Sequence, residues 1–148
     1  MEKLEKSNKD LLTELNKRED YWNNTIIDIS KRLTCEANNV IQLQSDTLSN
    51  RQRLLDEIKY ISYELYQFKP IIKKYRKVKT EFYLTKYPLK LVGKDKLYMI
   101  EHDISYYEQR IDMYDNHIDF LRETLKTIDQ IGYAIKNKII LYQLTDLD

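Results

Sequence analysis

Apolar residues recur at steps of three and four along most of this chain, and that spacing predicts helices. In the first twenty residues the apolar line is thin, with Leu4, Leu11 and Leu15 set among Glu and Lys. Glu2/Lys6 and Glu5/Lys9 stand four apart with the acid first, the order that supports an exposed helix. From Trp22 the line thickens through Ile26, Ile29, Leu33, Ala37 and Val40, which reads as one amphipathic helix. The polar cluster Ser45-Asp46-Thr47-Leu48-Ser49-Asn50 offers caps for a new helix. The apolar positions of that helix are Leu54, Ile58, Ile61, Leu65, Phe68, Ile72 and Tyr75. Pro70 lies inside the run. Proline removes a backbone donor and crowds the preceding turn, so the pattern predicts a kink, or a helix that restarts with Pro70 in its first turn.

The clearest interruption is residues 87–95, which contain Pro88 and Gly93 and end in Asp95, a candidate N-cap. Residues 88–92 suit a short extended segment. Beyond them the periodicity is strongest. Leu97, Ile100, Ile104, Tyr107, Ile111, Tyr114, Ile118, Leu121, Leu125, Ile128, Gly132, Ile135, Ile139 and Tyr142 alternate steps of three and four without error. That is a heptad seam. With Leu97 at a, charged residues such as Glu101, Asp103, Glu108, Arg110 and Asp115 flank it at e and g. The c positions Met99, Tyr106, Met113 and Phe120 add a second apolar stripe, which predicts neighbours on two sides. Gly132 costs the helix about 1 kcal/mol relative to Ala.

A helix of about 48 residues is about 70 Å long. Covering such a seam within one compact chain is expected to require breaking the helix, so the pattern predicts self-association as a ring or a bundle. Ile104, Ile111, Tyr114, Ile118, Leu121, Leu125, Ile128 and Ile135 are the candidate oligomerisation residues. A monomeric antiparallel bundle folded back at the breaks is the alternative. The expected fold is all-α, with elongated helices and a long C-terminal heptad helix that assembles into a ring-like homo-oligomer. Its expected divisions are an N-terminal helical extension (1–20), a helical region (21–87), a linker (88–95) and an oligomerisation helix (96–148).

Composition sharpens this picture at three points. Two glycines and two prolines in 148 residues leave little material for the tight turns of a β fold. Thirteen tyrosines against three phenylalanines favour half-wet interfaces, because each ring keeps a polar tip. Cys35 is the lone cysteine, so no intrachain disulfide forms and a reducing, intracellular setting is expected. The charged opening residues do not read as a signal peptide, and no stretch approaches the ~20 apolar residues of a membrane span.

Charge is concentrated in one place. Residues 69–90 hold Lys69, Lys73, Lys74, Arg76, Lys77, Lys79, Lys86 and Lys90 against one acid, Glu81. Eight cations and one acid make +7, so the rest of a chain of net charge +1 sums to −6. Tyr75, Phe82, Tyr83 and Tyr87 lie among the cations. On a helix, Lys69, Lys73, Arg76 and Lys77 fall within about 100° of one another, on the side away from Ile72 and Tyr75. Lysines that track phosphates, with rings that stack on bases, suit single-stranded nucleic acid best. An acidic protein, an anionic membrane surface or a merely solvated face are the other readings. No helix-turn-helix or zinc-finger pattern points to duplex readout.

Candidate catalytic chemistry is absent from the pattern. His102 and His117 are fifteen apart with no ligand partner and fall at f and g positions, where solvated side chains are expected. The two glycines are too far apart for a phosphate loop, and the carboxylate pairs lie on charged helix surface. Neither an enzyme, nor a metal, nor a cofactor is expected.

Four segments resemble the UvsY-type recombination mediators of tailed bacteriophages. They are Glu36-Ala37-Asn38-Asn39-Val40, then Lys73-Lys74-Tyr75-Arg76-Lys77-Val78-Lys79-Thr80-Glu81-Phe82-Tyr83, then Lys94-Asp95-Lys96, then Gly132-Tyr133-Ala134-Ile135-Lys136. The similarity covers roughly residues 20–144 in a consistent order. It implies an all-helical protein that forms a closed ring of six or seven subunits. It also implies single-stranded DNA as ligand and a phage recombinase and a single-strand-DNA-binding protein as partners, with no membrane. The implied role is loading a RecA-like recombinase onto coated DNA, in DNA recombination, repair and replication, in the cytoplasm of the infected bacterial host. Lys73, Lys74, Arg76, Lys77, Lys79 and Tyr83 fall in the implied DNA-binding segment, and the charge pattern adds Lys69 and Lys86. Where the family has a small, Gly-containing turn after the aromatic pair, this chain reads Tyr83-Leu84-Thr85-Lys86-Tyr87-Pro88.

Overall fold

The computed structural model describes residues 6–34, 37–88 and 93–146. Three helices account for nearly all of them: α1 (Asn8–Arg32), α2 (Ala37–Glu81) and α3 (Gly93–Asp146). There is no strand among the described residues. The all-α class and the long C-terminal helix are therefore as the periodicity predicts.

Each helix has a local cause and a tertiary partner. Ser7 caps α1, its Oγ accepting the Asp10 N–H at 3.1 Å. Leu11 and Leu15 pack with Ile61 and Leu65 of α2 and with Tyr114 and Ile118 of α3. Trp22 meets Leu54, Leu121 and Ile128. Ile29 meets Val40, Leu43, Ile131 and Ile135. These layers run in register, so α1 and α3 are parallel and α2 is antiparallel to both. The thin apolar line of the first twenty residues is thus core: Leu11 and Leu15 are each only 3% exposed. The expected boundary at 20/21 falls inside α1, and Leu4 lies outside the described residues.

The continuous helix expected from Trp22 to Val40 is in fact two. α1 ends at Arg32, and a turn follows in which Leu33 N–H bonds Ser30 O (3.3 Å) and Thr34 N–H bonds Lys31 O (3.4 Å). Reversal lets Ile29 and Val40 share one layer, which a straight helix would hold about 16 Å apart. The polar cluster at 45–50 starts no helix. It lies inside α2, and buried Thr47 bonds the Leu43 carbonyl at 2.7 Å. α2 also runs on through Pro70 rather than restarting there. Pro70 is exposed while Phe68 and Ile72 are buried against Tyr107, so burial on both sides of it sustains the helix.

α3 begins at Gly93 and continues unbroken to Asp146, so part of the expected 88–95 linker is helix; residues 89–92 lie outside the described residues. Its heptad seam is consumed inside the chain. Ile104, Tyr114, Ile118, Leu121, Ile128 and Ile135 are buried, and Ile111 and Leu125 pack against the same core. The expectation that one chain leaves this seam uncovered is corrected: α1 and α2 cover it along most of an intact helix. The second stripe is explained by α1. Met113 and Phe120 pack in its layers, and Tyr106 Oη accepts the Asn8 N–H at 2.8 Å. The third helix also buries the g column, where Arg110, His117, Thr124 and Ile131 are all buried. Leu97, at the start of the heptad run, is by contrast 58% exposed.

α1 starts at the level of Tyr106 and Arg110. The first thirteen residues of α3 and the last turns of α2 extend past it as a two-helix tip about 20 Å long. The tip carries the end of the basic segment, from about Arg76 onward, while Lys69 lies below it beside Asp115 and Asp119.

Candidate nucleic-acid interface

The C-terminal part of α2 presents two faces at the tip. Phe68, Ile72 and Tyr107 form an apolar layer at its foot, with Ile71 and Tyr75 against them, and Tyr83, Ile100 and Ile104 are buried beyond it. Tyr75 and Tyr107 have ring centroids 4.6 Å apart. Lys69, Lys73, Lys74 and Lys77 stand on the other side, all exposed, and none makes an ion pair among the described residues. Lys69 borders a depression that also holds Asp115, Asp119 and Arg122 of α3. Lys73 and Lys77 line a shallow hollow of about 530 Å³ together with Arg76, Thr80, Glu81, Leu84 and Thr85.

Three of the expected DNA-binding residues are engaged differently. Arg76 turns to α3, where its guanidinium donates to Glu101 and, at 3.1 Å, to Glu108. The Glu101 bond holds its pKa above the usual arginine value. Lys79 lies 3.4 Å from Asp103 and sits over the Tyr75 and Phe82 rings at 5.4 and 5.7 Å. Tyr83 is only 7% exposed and donates its hydroxyl to Asp103 at 2.6 Å. That bond, with burial, pushes the phenol up to about 12. Burial acts to raise Asp103, but the Tyr83 bond and the Lys79 ammonium outweigh it and hold the carboxyl below its usual range. A 100° projection of α2 alone put Arg76 beside the free lysines. Glu101 and Glu108, twenty-five and thirty-two residues later, draw it to the helix interface.

α2 passes without a glycine into a final, wider turn. Phe82–Lys86 is a π-helical turn, closed by the Tyr87 N–H on the Phe82 carbonyl at 3.0 Å. Wider winding lets Phe82, Tyr83 and Tyr87 cluster, with centroids 5.1 to 6.1 Å apart. Lys86 ends this turn exposed. Lys90 lies outside the described residues.

The exposed face also extends where the charge count did not look. Lys59, Tyr63 and Tyr66 precede Lys73 and Lys77 on one sector of α2 about 80° wide. Tyr63 is 58% and Tyr66 76% exposed. Following the three-and-four spacing upstream on the side opposite the apolar seam would have found them.

His117 was expected to be solvated and is 1% exposed. Its Nδ1 lies 3.2 Å from Glu19 of α1 and its Nε2 3.3 Å from Glu57 of α2. Glu57 also accepts from Trp22 Nε1 and lies 3.5 Å from Arg18. Burial acts to raise the Glu57 carboxyl, but these donors and the Arg18 charge hold it below its usual value. This node pins the three helices together. Among the described residues no group of three or more His, Cys, Asp or Glu could hold a metal ion, and no helix is long and apolar enough to cross a membrane.

Compared with protein-family models, curated proteins and solved structures, the chain has no significant match.

Proposed function

We propose that this chain binds single-stranded DNA through the exposed lysine face at the end of α2 and serves as a recombination mediator of the kind its short motifs resemble. One observation carries the reading: Lys69, Lys73, Lys74, Lys77 and Lys86 stand exposed at one end with no ion pair among the described residues. Phosphates supply the charge these ammonium groups lack, and each contact releases a condensed counterion. Arg76, Lys79 and Tyr83 hold the tip in shape through Glu101, Glu108 and Asp103, so they act by positioning the face. About four phosphates per chain makes weak, salt-sensitive binding. Assembly of several copies, in a ring of six or seven as the resemblance implies, would strengthen it through effective concentration. Loading of a RecA-like recombinase onto strands coated by a single-strand-DNA-binding protein belongs to the same proposal.

The test is a salt titration with a fluorescent single-stranded oligonucleotide. The logarithm of the binding constant should fall with the logarithm of salt with a slope of about −3 per chain. Lys73→Ala/Lys74→Ala/Lys77→Ala should flatten that slope to about −1, and Arg76→Ala should change it little. Absence of binding at low salt removes the proposal. It would leave a helical scaffold that docks an acidic protein through the same lysines.

A further inference from the structure

We propose that Tyr63 and Tyr66 form a base-stacking platform continuous with the lysine face, which makes α2 a track for unpaired, unstacked nucleotides. The inference rests on the DNA-binding reading above. Large aromatic rings are costly to leave in water, yet these two stand 58% and 76% exposed in mid-helix. Their neighbour Tyr60 differs, because the Arg18 guanidinium lies 5.8 Å over its ring. Among the described residues no cation lies over the ring of Tyr63 or Tyr66. Tyr63 Oη accepts from Gln67 Nε2, which steadies its ring on the helix surface.

Placement decides the occupant. Lys59, Tyr63, Tyr66, Lys73 and Lys77 share one sector over about 27 Å of helix. With Lys59 and Asp56 the two rings line a hollow of about 580 Å³. Three-residue neighbours on a helix have Cβ atoms about 5–6 Å apart. A stacked strand advances only about 3.4 Å per nucleotide, so rings at this spacing serve bases that have separated. Charge is divided along the track. Acids border the rings, with Asp56 on one side and Asp115 and Asp119 near Tyr66 and Lys69. Lysines dominate from Lys69 onward. Bases therefore suit the tyrosine part and phosphates the lysine part. An acidic protein would pair with the lysines alone and has no use for bare rings, whereas a nucleotide brings both a phosphate and a flat base.

The test uses two probes of equal length and charge: a fluorescent oligothymidylate and the same sugar-phosphate strand without bases. The intact chain should bind the first at least about thirtyfold more tightly, the lower end of the gain expected from two base–aromatic stacks. Tyr63→Ala/Tyr66→Ala should erase the difference while leaving base-free affinity and the salt slope unchanged. Tyr63→Phe/Tyr66→Phe should keep it. Both pairs replace exposed side chains, and far-ultraviolet circular dichroism checks the fold. Equal affinity for the two probes in the intact chain overturns the platform while leaving the lysine face standing. So does a double-alanine variant that weakens both probes alike or neither. Failure to bind either probe removes the DNA-binding reading and the platform with it.

Discussion

Tyr83 is 7% exposed and its hydroxyl bonds Asp103 of α3 at 2.6 Å, a contact that joins the end of α2 to α3. An aromatic ring among seven lysines and one arginine suggests a ring offered to a ligand. The structure buries it, and its hydroxyl keeps its proton while donating a hydrogen bond to a carboxylate twenty residues away. Removing only that hydroxyl, as Tyr83→Phe, should cost about 1–2 kcal/mol, because a partly buried carboxylate loses a donor. The pH dependence has a definite sign on each side. The phenol is raised in the fold to about 12, so its contribution is fully present below its unfolded value near 10 and lost as pH rises through 12. Asp103 and Glu57 are lowered. Their contribution is present above the unfolded carboxylate values near 4 and lost as pH falls through the depressed ones. Thermal melts should be flat near neutrality and fall at both extremes, with the alkaline fall reduced in Tyr83→Phe.

Among the elements, α1 has the most to teach. Its first half looks like a charged extension, since Leu11 and Leu15 among many charged residues make a thin apolar line. Those two leucines nonetheless dock into a groove between α2 and α3, where the apolar walls are supplied by Ile61, Leu65, Tyr114 and Ile118. Arg110 reinforces the docking by donating to the Lys6 carbonyl at 2.6 Å. Truncating Leu15 to Ala should therefore destabilise the whole bundle by about 2–4 kcal/mol in urea titrations, the cost of a core cavity. A substitution on a frayed extension would cost almost nothing.

At the scale of the molecule, both ends leave large apolar side chains exposed, Leu84, Leu97 and Tyr98 among them at the tip. The opposite end leaves Ile27, Ile41, Leu48, Tyr133, Leu141 and Leu144 exposed. With the heptad seam occupied by α1 and α2, any assembly of copies must use surface of this kind. Light scattering should give a mass several times the 18.0 kDa of one chain if the proposed assembly forms. Leu141→Asp/Leu144→Asp should lower that mass with helicity intact. Ile118→Asp should instead unfold the chain, because Ile118 is 5% exposed within a single protomer. A monomer at micromolar concentration would remove the assembly from the proposal.

The sequence by itself determined the helical class, the extent of the longest helix to within a few residues, and the a and d positions that form its core line. Those are consequences of local periodicity, which any window of a dozen residues carries. It also located the lysine face, since charge can be counted without knowing the fold. Only the tertiary structure decided where the chain reverses after Arg32, which side of α3 takes a third helix, and that His117 is core. The same holds for the cations that are free: Arg76 and Lys79 are engaged by Glu101, Glu108 and Asp103, while Lys73, Lys74 and Lys77 are not. Reversal, coverage and neutralisation depend on groups far apart in the chain. A Coulombic partner or a covering helix leaves no mark in the spacing of the residues it acts upon.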